Sequence, residues 1–275
     1  MNNAKVSIIM GIYNCSDTLT DAIESILNQT FSGWKLIMCD DGSTDETYCI
    51  ALQYKKKYPD KIILIKNKEN RGLNYTLNHC LKYVNTEYVA RMDGDDISLP
   101  TRLEEEIRFL DTHLEYAIVS CPMIYFDQDG DFMIGKCIPK PQKNDYIKGT
   151  PFCHAPCMVR TDIMKLVNGY SVSNKLLRVE DYHLWYKIYM AGYQGYNLKK
   201  PLYKMRDDRN AVARRKYKYR LNETYVKWRI YKDMKLSPRY ILYILKPLVV
   251  GLMPNYLYKS LHRKKGKIYI SKCKL

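Results

Sequence analysis

The chain has 275 residues, 46% of them hydrophobic and 27% charged, a composition that fits a folded domain with a substantial core and excludes a disordered or fibrous protein. Its net charge of +16 is unevenly placed: residues 199–275 carry 23 of the 45 Lys+Arg and only 4 of the 29 Asp+Glu, a net of +19, while residues 1–198 carry a net of −3. That split argues against nucleic-acid binding by the whole chain, and no nucleic-acid partner is expected. Nine cysteines, an odd number, and an N-terminus without a signal-like apolar stretch point to a reducing compartment in which thiols serve as packing groups. Cys153-His154-Ala155-Pro156-Cys157 lacks the second Cys/His pair of a zinc finger.

The first 120 residues alternate β-branched runs with helical periodicity. Val6–Met10 reads as a buried strand, Asp17–Gln29 as a helix with Ala22, Ile23, Ile26 and Leu27 inward, and Lys35–Cys39 as a second strand. Ser43-Thr44-Asp45-Glu46 has the capping-box pattern that opens a helix. Ile62–Ile65 is the third strand, Asn74–Tyr83 a helix, and Tyr88–Met92 the fourth strand; Pro100 precedes a helix over Thr101–Leu110. Such alternation predicts an α/β fold with a mostly parallel central sheet covered by helices on both faces.

The pattern then loosens. Ile118–Ser120 and Cys157–Arg160 are short strands, Asp129-Gly130 marks a hairpin turn within Tyr125–Phe132, and Asp181–Met190 is a helix with Leu184, Trp185 and Ile188 inward. Asn222–Leu261 is mostly helical, interrupted by Pro247 and Pro254, with no run of 18 uncharged apolar residues. The expected division is one folded α/β unit over 1–205, its pattern changing between about 115 and 116, followed by a basic amphipathic helical tail over 206–275.

Acidic residues gather at strand ends. The fourth strand runs into Asp93-Gly94-Asp95-Asp96 and the second into Asp40-Asp41-Gly42-Ser43. In an open parallel sheet, ligands bind beyond the carboxyl ends of the strands. Crowded carboxylates there call for a hard divalent cation, Mn²⁺ or Mg²⁺, which also takes phosphate oxygens. Arg71-Gly72 follows the third strand: glycine permits close backbone approach, and Arg71 can pair with anionic or planar groups.

Taken together, Val6–Asn14, Asp40–Asp45, Asn70–Asn74, Tyr88–Arg102, His154–Arg160 and Glu180-Asp181 occur in the order and near the spacings of the family-2 glycosyltransferases, and residues 5 to about 205 resemble that family. The resemblance implies a GT-A fold, and an inverting, metal-dependent transfer of a hexose-type sugar from a nucleotide-diphosphate donor, a UDP-sugar, to a hydroxyl of a lipid-linked oligosaccharide or growing bacterial glycan. By position, Tyr13, Asp41, Arg71 and Asp93 would line the nucleotide pocket, and Asp95, with Asp93, would hold the metal. His154 would either lie near the active-site floor, close to metal or acceptor, or be a satisfied core histidine, and Asp181 would be the general base. Two stretches depart from the family: Ala155 stands between His154 and Pro156, and the loop that closes over the diphosphate reads Tyr203-Lys-Met-Arg-Asp-Asp-Arg209, so Arg206 or Arg209 would serve there.

Two further readings stand beside the catalytic one. A non-catalytic nucleotide-sugar-binding subunit would partner another transferase, but retention of Asp95 and Asp181 argues against it. The tail, with Arg214-Arg215-Lys216 and Arg263-Lys264-Lys265 flanking Tyr/Leu/Ile segments, suggests docking on an anionic membrane surface, which would place a cytoplasmic enzyme at the inner face of the cell membrane.

Overall fold

The computed structural model describes residues 4–207 and 216–252. The first half is built as the alternation requires: β1 (Val6–Ile12), α1 (Ser16–Leu27), β2 (Trp34–Asp40), α2 (Thr47–Lys57), β3 (Ile62–Lys66), α3 (Leu73–Leu81) and β4 (Tyr88–Asp93). After β5 (Ile97–Ser98) and α4 (Arg102–Thr112) come β6 (Tyr116–Ser120) and a hairpin of β7 (Met123–Asp127) and β8 (Gly130–Ile134). Gly130 at the turn has φ +107°, a conformation that suits glycine. The chain continues with α5 (Lys143–Tyr146), β9 (Met158–Arg160), α6 (Thr161–Leu166), α7 (Glu180–Met190), β10 (Gln194–Asn197), β11 (Tyr203–Arg206), α8 (Tyr217–Asp233) and α9 (Ile241–Gly251).

The central sheet has seven strands in the order β10-β6-β9-β4-β1-β2-β3. All neighbours are parallel except β9, which runs antiparallel to both β4 and β6. Alternate residues of β1 enter opposite layers: Ile8 and Met10 join the core formed with α1 and α4, while Ile9 joins the core that contains α3 and α7. A second, four-stranded sheet, β5-β11-β7-β8, packs beside the carboxyl end of β4. Its strand β11 carries Arg206 back to the loop after β4.

Three local expectations need correction. The capping box at Ser43–Glu46 does not form: α2 opens at Thr47, and the Asp45 carboxylate accepts the N–H groups of Thr47 (3.0 Å) and Ser16 (3.1 Å), serving two helix starts at once. Ser43 is drawn to Asn14 instead, its Oγ accepting the Asn14 N–H at 3.1 Å. Pro247 does not interrupt its helix; it sits buried inside α9, whereas Pro254 lies outside the described residues. The division expected at residue 205 falls inside β11, and the helix beyond it is no detached tail. Val226 and Ile230 of α8 are fully buried in the same core as Trp185 of α7. Lys227, 1% exposed, donates to the carbonyls of Ile147 (3.0 Å) and Lys148 (3.3 Å). No helix among the described residues is long and apolar enough to cross a membrane.

Candidate active site

The carboxyl end of β4 delivers three carboxylates, Asp93, Asp95 and Asp96, with one oxygen from each lying within 4.8 Å of the others. Such crowding is unfavourable without compensation, roughly 3 kcal/mol per pair at an effective dielectric of 20. Part of it comes from the protein. Arg91, buried on β4, donates from both terminal guanidinium nitrogens to both oxygens of Asp93. Asp96 is buried; its Oδ1 accepts the backbone N–H of Arg206 at 2.8 Å, and its Oδ2 has no hydrogen-bond partner among the described residues. Desolvation in the cavity and then the neighbouring Asp93 charge raise the Asp95 carboxyl above its usual range, and burial, Asp93 and Asp95 do so more strongly for Asp96. Hard oxygen donors, mutual repulsion and one orphaned buried oxygen together fit a divalent cation.

This loop is braced from beneath. Arg102 of α4, 1% exposed, pairs with Glu106 at 3.2 Å and donates to the Arg91 carbonyl at 2.9 Å. Burial pushes the Glu106 carboxyl up to about 7, with Arg102 opposing the rise. The Tyr203 hydroxyl of β11 accepts the Asp93 N–H at 3.2 Å. Arg206 is held against the same loop, its Nε donating to the Asp95 carbonyl at 3.0 Å and its guanidinium lying 4.7 Å over the Phe126 ring. Of the two arginines expected at the diphosphate, Arg206 is therefore in the site, and Arg209 lies outside the described residues.

The three aspartates and Arg206 line a cavity of about 550 Å³ that also receives Asp181. Asp181 sits in the first turn of α7, and Thr150 Oγ1 donates to its Oδ2 at 3.4 Å. Burial first, then the Glu180 charge, raises the Asp181 carboxyl to about 6, against hydrogen bonding from the Tyr182 backbone and the pull of Arg91. A carboxylate so placed is ready to accept a proton near neutral pH.

A second cavity of about 390 Å³ is lined by Gly11, Tyr13, Asp41, Asn70, Gly72 and Asn74 beside Glu180. Tyr13 is 48% exposed there. Asp41 is committed to the protein: its carboxylate accepts Asn67 Nδ2 at 2.8 Å, the Arg71 N–H at 2.9 Å and the Gly72 N–H at 2.8 Å, fixing the loop that forms the cavity edge. The Arg71 guanidinium turns outward onto Glu69 (3.2 Å) and the Tyr75 ring (4.9 Å). Glu180 Oε2 is buried without a hydrogen-bond partner among the described residues. His154 does not line either cavity; its Nε2 shares a 2.8 Å hydrogen bond with the Tyr170 hydroxyl, and burial, then Arg91, hold its imidazole well below the ordinary range.

Motif reading missed the contribution of α8 and the turn before α7. Arg178 and Tyr219 line both cavities, and Arg220 and Glu223 line the larger one. The available signal was spacing: Asn222, Val226 and Ile230 recur every four residues and form the buried face of α8.

With this geometry in hand, the comparisons with known proteins give the class. The chain belongs to glycosyltransferase family 2: the profile described as "Glycosyl transferase family 2" matches residues 7–167. EpsE of Bacillus subtilis (strain 168) is 42% identical over 262 residues, covering 95% of this chain and 94% of EpsE. WfaP of Escherichia coli, a UDP-Glc:α-D-GlcNAc-diphosphoundecaprenol β-1,3-glucosyltransferase by name, is 33% identical over 192 residues, 70% of this chain and 73% of WfaP. The crystal structure of S. aureus TarS 1–349 in complex with UDP-GlcNAc matches with a TM-score of 0.66 over 90% of this chain and 71% of that one, at 20% identity. The fold is GT-A.

Asp41→Asn is expected to destabilise the ligand-free protein by about 1–3 kcal/mol in urea denaturation, because an amide cannot accept all three donors now aimed at it. An unchanged midpoint would show that Asp41 does not organise the loop.

Proposed function

We propose that the protein transfers a hexose-type sugar from a UDP-sugar to a hydroxyl of a lipid-linked acceptor in bacterial surface-polysaccharide assembly, with inversion at the anomeric carbon. The observation that carries the proposal is the joint placement of the three-aspartate cluster and Asp181 in one cavity, next to a second cavity of nucleotide-pocket composition. WfaP, a UDP-Glc transferase by name, and the UDP-GlcNAc complex of TarS support the donor class, and the WfaP name supports the acceptor class.

In this mechanism Tyr13, Asp41 and the Asn70–Gly72 loop seat the nucleoside, with Arg71 at the rim, and Arg206 approaches the diphosphate from β11. Asp95, with Asp93 and Asp96 beside it, would hold Mn²⁺ or Mg²⁺, which supplies Lewis-acid compensation for the charge gathering on the diphosphate. Arg91 keeps Asp93 oriented. Asp181 takes the proton of the acceptor hydroxyl as that oxygen bonds to the anomeric carbon, and the bond from that carbon to the diphosphate breaks on the opposite side. The displacement is single, so an α-linked donor yields a β-linked product.

Asp181→Asn should fold, bind UDP and lose transfer rate by about 10²–10⁴-fold, the usual contribution of positioned acid–base catalysis. Because the raised carboxyl must be ionised to act, kcat/KM of the native enzyme should climb with pH through about 6 and then level. The residual activity of Asp181→Asn should lack that limb. Transfer assays across pH decide this, and a purified variant with native turnover or an unchanged acid limb removes Asp181 as the base.

We also propose that the enzyme works at the inner membrane face, docked through its C-terminal helices. On α9 and its C-cap, Leu242, Leu245, Val249 and Leu252 are all at least half exposed and fall along one stripe, while Ile244 and Pro247 face inward. Exposed apolar side chains at helical spacing next to Lys and Arg suit a membrane interface. Deleting this region would also strip Met234 and Ile244 from the core, so point substitutions are the better test. Combined Leu242→Glu, Leu245→Glu and Val249→Glu should move the protein from vesicles of anionic phospholipid to the supernatant in flotation. Native-like vesicle binding by the triple variant would exclude α9 as the docking face.

A further inference from the structure

The catalytic cavity holds two cations that the transfer mechanism leaves unused, Arg178 and Arg220. Arg178 stands three residues before Asp181 with φ +67°, a left-handed conformation that costs a non-glycine residue energy and that needs external support. The support comes from α8: Asn222 Nδ2 donates to the carbonyls of Leu177 (3.0 Å) and Asn174 (3.2 Å), pinning the backbone on the near side of Arg178. Arg220, two residues before Asn222 on α8, pairs with Glu223 at 3.3 Å at the cavity wall. Its stem rests on α9: a Cβ added to Gly251 would stand 3.0 Å from Arg220 Cγ and 2.9 Å from the Tyr217 ring. The absence of a side chain at Gly251 thus allows the close approach that sets where Arg220 can lie.

The acceptor class argued above makes an electrostatic demand. Where the acceptor is a single sugar on a lipid diphosphate, the kind the WfaP name prints, the phosphates sit on the same ring as the attacking hydroxyl, so when that hydroxyl reaches Asp181 the phosphates lie within the cavity or at its mouth. The cavity already contains Asp93, Asp95, Asp96 and Asp181, and an added dianion needs a cation of its own. Arg206 is tied to the Asp95–Asp96 loop on the donor side. We propose that Arg220 and Arg178 form a subsite for the acceptor's diphosphate, and that the lipid chain leaves the cavity toward α9. The inference rests on the proposed transferase function and adds to it the place where the acceptor's anionic group is read. Guanidinium groups suit that task because their planar donor fork matches phosphate oxygens. The same helix that presents Arg220 to the cavity packs against the helix whose outer face is an apolar stripe, so headgroup and lipid would be recognised by adjoining parts of one helical pair.

The test is titration calorimetry on the full chain saturated with UDP and Mn²⁺, which fills the donor side, using farnesyl diphosphate and farnesol as probes. The native protein should bind the diphosphate at least about tenfold more tightly than the alcohol, since one charge-assisted contact is worth a factor of that order. Arg220→Gln should erase that preference while leaving UDP affinity unchanged. Arg178→Asn, chosen because Asn tolerates the left-handed backbone, should weaken diphosphate binding in the same direction. Gly251→Val, outside both cavities, should displace Arg220 from behind and reproduce the Arg220→Gln result, whereas a general packing defect would lower UDP affinity as well. Equal binding of diphosphate and alcohol by the native chain, or an Arg220→Gln variant that keeps the preference, overturns the subsite and leaves the transferase function standing. A native chain that fails to bind UDP with Mn²⁺ removes the transferase function and the subsite together.

Discussion

Three carboxylates that must share a few ångströms are the constraint around which this molecule is arranged. Asp93, Asp95 and Asp96 cannot all be ionised side by side unless positive charge is brought to them. The protein supplies that charge from two directions: Arg91 from the strand itself, and Arg206 from strand β11 of the second sheet. What remains uncompensated, above all Asp96 Oδ2, which has no hydrogen-bond partner among the described residues, is what would hold the proposed cation. The buried Arg102–Glu106 pair does not touch that site. By donating to the Arg91 carbonyl, Arg102 holds the strand end that carries it.

The same economy governs α8. A helix rich in Lys and Arg would ordinarily be solvated on all sides, yet here Val226 and Ile230 enter the core, Lys227 donates to backbone carbonyls and pairs with Glu223, and Asn222 fastens the turn that leads to Asp181. The placement of the proposed base therefore depends on a segment far downstream in sequence. Strain at Arg178 and hydrogen bonding by Asn222 are two sides of one arrangement: the first is tolerable because the second is present.

The parallel half of the fold was legible because its signals are local. β-branched runs, helical periodicity and acids at strand ends each lie within a few residues, and they located β1 to β4, the inward face of α7 and the aspartate loop. The helix starts were less legible. Ser43 has the right chemistry for a cap, but Asn14, 29 residues away in sequence, competes for its hydroxyl, and Asp45 takes the role. Asp41 lines the smaller cavity, but its oxygens are occupied by Asn67, Arg71 and Gly72, a non-local arrangement no motif records. Charge was the misleading signal. The basic tail reads as a separate unit because net charge is conspicuous, whereas the four-residue recurrence of Asn222, Val226 and Ile230 that buries α8 is faint beside it. Arg178 and Arg220 were missed for the same reason: neither belongs to a motif, and they meet only in the folded chain.

The central claim is that the aspartate cluster binds a divalent cation on which nucleotide binding depends. Titration calorimetry of UDP into the native protein and Asp95→Ala, each with Mn²⁺ and with EDTA, tests it most directly. The account predicts binding by the native protein with Mn²⁺, and loss of it both in EDTA and in Asp95→Ala. UDP affinity that is equal with Mn²⁺ and with EDTA, or undiminished in Asp95→Ala, would contradict it.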